Sequence, residues 1–81
     1  MRIEFVGDGN VFDGTPKQII KQMHSLAIFA AHLSFSEYID WCVANTLQGF
    51  SIELKVTGET DDEKAASYVN AILDAGIARK L

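Results

Sequence analysis

The chain has 81 residues, with seven Lys/Arg against eleven Asp/Glu, a formal net charge of −4 and a pI near 4.9. That length supports one hydrophobic core, so a single domain over residues 1–81 is expected, and barrels and multi-lobed enzymes are excluded. With 48% apolar and 22% charged residues the composition is that of a folding chain, and its acidic balance weighs against binding that relies on Lys/Arg contacts to phosphates.

The longest apolar run, Leu26–Ala31, falls far short of the roughly 20 residues that a membrane-spanning helix needs. Met1-Arg2-Ile3-Glu4 places an acid inside the would-be secretory signal, and no cleavage pattern follows. Cys42 stands alone, so no internal disulfide can form. Together these features lead to the expectation of a cytoplasmic protein without a membrane segment. So high an apolar fraction in so short a chain must leave apolar groups outside the core, and a partner surface is the natural place for them.

In chain order, residues 2–6 alternate, with Ile3 and Phe5 on one face, which predicts a half-buried strand. Asp8-Gly9 predicts a two-residue hairpin turn pairing Val6 with Val11, Phe5 with Phe12 and, less favourably, Glu4 with Asp13. Thr15-Pro16 reads as N-cap and first position of a helix running to about Ala27, with Ile19, Ile20, Met23, Leu26 and Ala27 as its apolar stripe. Ser34-x-x-Glu37 is a capping box opening a second helix to about Gln48, with Gly49 as its stop. Phe50–Thr57 alternates cleanly, with Phe50, Ile52, Leu54 and Val56 on one face, and predicts a third strand near 50–57. Thr60-x-x-Glu63 opens a third helix to about Ala75, with Ala65, Tyr68, Val69, Ile72 and Leu73 inward and Gly76 as terminator. Residues 77–81 form a tail that could add an edge strand. The expected fold is therefore two-layer α+β, a small antiparallel sheet with three helices in the order β-β-α-α-β-α.

The second helix carries more apolar surface than one stripe requires. Ile39, Val43 and Leu47 line up for the core, while Tyr38, Trp41, Cys42 and Asn45 occupy a neighbouring face. Tyr and Trp are enriched where partners meet, so these four residues, with Phe29 and His32 from the preceding loop, form the expected interaction patch. The competing reading has Trp41 finishing the core and Tyr38 half-exposed.

Other constellations of reactive residues have simpler explanations. Cys42 with His24 or His32 would make a nucleophile and base, but a mid-helix cysteine lacks the helix-start field that activates a thiol. No spacing of Cys and His fits a zinc site, and no metal or cofactor is expected. Asp8–Gly14 has Phe12 where a calcium loop needs an acid. Gly9-x4-Gly14 is followed by Thr15-Pro16 rather than the lysine of a phosphate loop, so both glycines are turn residues. The acids at Glu59 and Asp61–Glu63 suit a solvated helix start. Lys17, Lys21, Arg79 and Lys80 are the cations a nucleic-acid binder would use.

At Phe12-Asp13-Gly14-Thr15-Pro16, Ile19–Met23 and Glu37-Tyr38-Ile39-Asp40-Trp41, the chain resembles a group of short uncharacterised proteins of bacteria and their phages or mobile elements. The resemblance implies a small accessory protein that works by binding something else, and it carries no activity with it. The function expected is a non-catalytic protein-interaction module, self-associating or binding a host factor. A small nucleic-acid binder and a Cys/His enzyme are the alternatives.

Overall fold

A computed structural model describes residues 1–81. Its elements are strands β1 (Arg2–Phe5) and β2 (Val11–Asp13), helix α1 (Pro16–Leu26), a 3-10 turn (Ile28–Ala30), helices α2 (Phe35–Phe50) and α3 (Asp61–Asp74), and strand β3 (Ala78–Lys80). The α+β class holds, with three antiparallel strands and three helices, and the sheet order is β2-β1-β3. One placement differs from the sequence expectation. The third strand is the C-terminal tail, while the stretch after Phe50 joins no ladder.

The hairpin forms in a different register. Ile3 lies opposite Phe12 and Arg2 opposite Asp13, not Phe5 opposite Phe12 and Glu4 opposite Asp13. The loop holds Val6 to Gly9, closed by hydrogen bonds from the Phe5 amide to the Asn10 carbonyl and from the Gly9 amide to the Phe5 carbonyl. Electrostatics favours this slip of two residues. It replaces the Glu4–Asp13 repulsion with an Arg2–Asp13 pairing and frees Glu4 to bond Arg79 of β3, whose Nε donates to Glu4 Oε1 at 2.7 Å. A slip of two leaves each side chain on its original face. Phe5 and Phe12 therefore still meet edge-to-face, 5.8 Å apart, on the core side.

Each helix opens with a reciprocal capping box: Thr15 with Gln18, Ser34 with Glu37, and Thr60 with Glu63. The hydrogen bond from the Ser34 amide holds the Glu37 carboxyl below the usual glutamate range. Helix α2 does not stop at Gln48. It runs through Gly49 to Phe50, and Ser51 takes the left-handed conformation (φ 57°) that ends it. Helix α3 ends in a Schellman motif, with the Ile77 amide bonded to the Ile72 carbonyl and Gly76 at φ 76°. That turn sends the chain back along β1 as β3.

One core cluster joins the layers. Ile3 comes from the sheet, Ile19 and Ile20 from α1, Tyr38, Ile39 and Cys42 from α2, and Ala65, Tyr68, Val69 and Ile72 from α3. Lys64 staples α3 to α2, donating to Ser36 Oγ at 2.6 Å and pairing with Asp40 at 2.8 Å. No helix is long and apolar enough to cross a membrane.

Candidate functional site

The face of α2 divides differently from its periodicity. Tyr38, Ile39 and Cys42 are buried, whereas Leu47, expected in the core, is 51% exposed and Phe50 is 75% exposed. The buried stripe thus runs about one position earlier on the helix than Ile39-Val43-Leu47. Docking of α1 and α3 decides this, because both faces of the helix are apolar enough to be chosen.

Of the expected patch residues, Tyr38 and Cys42 belong to the core, while Trp41, Asn45 and Phe29 face solvent. The structure connects the two groups. Tyr38 stacks on the His24 ring at a centroid distance of 4.3 Å, and Trp41 stacks on Tyr38 at 5.9 Å. His24 is fixed from its far side, its Nε2–H donating to the Ala30 carbonyl at 2.8 Å. A row of contacts therefore runs from the 3-10 turn through His24 and Tyr38 to Trp41. In the 3-10 turn at the end of this row, Ile28 and Phe29 are 84% and 88% exposed, and Leu26, which ends α1 just before the turn, is 66% exposed. The sequence reading took in Phe29 and missed Leu26 and Ile28. Leu26 was assigned to the α1 stripe, but it sits on the last residue of that helix, where the chain turns away from the core. His32, offered as an extension of the patch, is exposed.

Cys42 has tyrosines for neighbours. Burial pushes its thiol up, and the Tyr38 and Tyr68 side chains beside it offset part of that rise. Burial likewise raises both tyrosine hydroxyls above their usual range. A nucleophilic cysteine needs the opposite, a depressed pKa and access to solvent. His24 spends its ring on Tyr38 and Ala30. In native protein at neutral pH, iodoacetamide is expected to modify Cys42 at least about tenfold more slowly than in urea. Equal rates in the two conditions would restore the Cys/His enzyme reading.

No group of three or more His, Cys, Asp or Glu side chains is placed to hold a metal ion. Among the cations considered for nucleic-acid binding, Arg79 is tied to Glu4 across the β1–β3 ladder. Comparison with family models, curated proteins and solved structures finds no match.

Proposed function

We propose that the chain is a non-catalytic protein-interaction module that self-associates and whose working surface is the apolar corner of Leu26, Ile28 and Phe29 together with Trp41. The observation that carries this reading is the exposure of those side chains at the two ends of a fixed aromatic row. Large apolar groups left in water next to a rigid support favour association, because burying them against a partner removes apolar surface without ordering cost in the groups beneath. Trp and Phe on such a support are of the type that dominates interface energetics. The mobile-element resemblance extends the proposal to an accessory protein that docks on a host protein.

The test is capture from host extract on immobilised protein, comparing the native chain with the double variant Phe29→Ser, Trp41→Ala. Both side chains lie at the surface, so the variant should keep its circular dichroism. Proteins captured by the native chain should be lost from the variant. Capture unchanged by the double substitution would mean that this corner is not the working surface.

A further inference from the structure

Residues Ile52–Val56 are extended chain lying on α3 with nothing paired to their backbone. Ile52 and Val56 are half-buried and Leu54 is buried, while Glu53 and Lys55 point to solvent. None of the amides or carbonyls of Ile52–Val56 is hydrogen-bonded within the chain. The segment is held at its ends instead, by the Ser51 amide on the Leu47 carbonyl and by the Thr57 amide on Ser67 Oγ at 3.0 Å. A groove of about 620 Å³ runs along residues 53–55, lined on the α3 side by Ser67, Asn70, Ala71, Asp74 and Ala75. This groove leaves room for a second backbone to approach.

The order of residues in this segment is self-complementary. When two copies of Ile52–Val56 run antiparallel with Leu54 opposite Leu54, Glu53 of each copy faces Lys55 of the other. Ile52 then faces Val56. Opposite charges directly across an antiparallel pair stabilise it, and so do aliphatic pairs on the inward face. A pairing shifted by two residues loses both charge pairs and sets Lys55 opposite Lys55 in one direction and Glu53 opposite Glu53 in the other, and a shift of one would turn Leu54 to solvent. Among pairings of two copies, the segment's own chemistry therefore favours this one register.

We propose that Ile52–Val56 is a dimerisation strand, pairing antiparallel about Leu54 with the same segment of a second copy. It deepens the self-association in the function proposed above, but uses a different surface from the Phe29–Trp41 corner. The resulting two-fold dimer supplies the ladder bonds that the segment lacks in one chain, and it satisfies an exposed edge that would otherwise be open to unspecific strand pairing. It leaves the aromatic corner of each copy free, so a dimer would present two of them.

The experiment is a charge swap read by light scattering on a sizing column across a concentration series. The native chain should be a dimer. Glu53→Lys alone puts Lys opposite Lys twice, Lys55→Glu alone puts Glu opposite Glu twice, and each should weaken the dimer at least about tenfold. An equimolar mixture of the two variants restores both charge pairs and should return to dimer. In hydrogen exchange, every second amide of Ile52–Val56 should be slow in the native dimer and fast in either variant alone. This reading holds whether or not the variants shift the unfolding midpoint. A native chain that stays monomeric throughout the series overturns the proposal together with the self-association it rests on, and leaves the aromatic corner only as a docking surface for a different protein. A native dimer that survives both single variants, with all Ile52–Val56 amides fast, overturns it as well. If Phe29→Ser, Trp41→Ala then dissociates that dimer, the interface is the corner.

Discussion

Tyr38→Ala is expected to destabilise the fold by about 3–5 kcal/mol, the range for deleting a large buried ring. Tyr38 is 4% exposed and packed between the His24 and Trp41 rings, with Cys42 on the next turn of its own helix. Removing its ring takes out the middle member of that row and opens a void on the α1–α2 boundary. A domain of this length is stable by only about 4–12 kcal/mol, so the loss would be a large part of the whole. Trp41→Ala, by contrast, removes a ring that is 38% exposed and supported on one side, and about 1–2 kcal/mol is expected. Urea unfolding followed by circular dichroism measures both. The Tyr38 variant should lose much of its midpoint at nearly constant slope, and the Trp41 variant should lose little. A larger loss for Trp41→Ala would mean that Trp41 is the core member and would remove it from the proposed working surface.

The contrast between those two residues also marks where sequence reasoning runs out. Helix starts were legible because capping is local chemistry: Ser34 with Glu37 and Thr60 with Glu63 sit three residues apart and need no knowledge of the rest of the fold. The same pattern was present at Thr15 and Gln18, where Thr15 is read as the N-cap but the return bond from Gln18 is not. The choice between Tyr38 and Trp41 for the interior is not local. Both lie on apolar faces of α2, and the helices that dock against it make the selection. The segment after Phe50 shows a second limit. Alternation reports an extended chain with one side buried, and Ile52, Leu54 and Val56 do turn inward as their spacing requires. Alternation is silent on whether the backbone is paired. A sheet built around β1 has two flanks, and the hairpin and the C-terminal tail occupy them, leaving 52–56 to pack on a helix instead. The hairpin register turned on a like-charge conflict, Glu4 against Asp13, that was visible in the sequence. Its resolution needed Arg79, 75 residues away along the chain.

Gly58→Ala is expected to cost about 2–4 kcal/mol, combining a backbone conformation that L-residues avoid with a collision that nothing can relieve. Gly58 has φ 142°, and a Cβ there would lie 2.5 Å from the Lys64 amide nitrogen and 2.8 Å from the Glu63 carbonyl carbon. These are backbone atoms of the first turn of α3, and that turn is held on both sides. Thr60 and Glu63 cap it reciprocally, and the Lys64 side chain is anchored to Ser36 and Asp40 of α2. Moving the turn would strain the caps and the staple, so the chain before it must yield. That chain is Ile52–Thr57, whose last anchor is the Thr57 amide on Ser67. The substitution should therefore lower Tm by about 8–32 °C, taking about 4–8 °C per kcal/mol for a domain of this size. It should also disturb the segment that the proposed dimer uses, so loss of dimer would accompany loss of stability. Gly7→Ala serves as the control, since its φ is not in the left-handed region and a Cβ there meets nothing within 4 Å. Its Tm should stay within about 4 °C of the native value. A Gly58→Ala protein that melts alongside the control would show that the α3 turn gives way after all, and that Gly58 does not fix the path of the strand it follows.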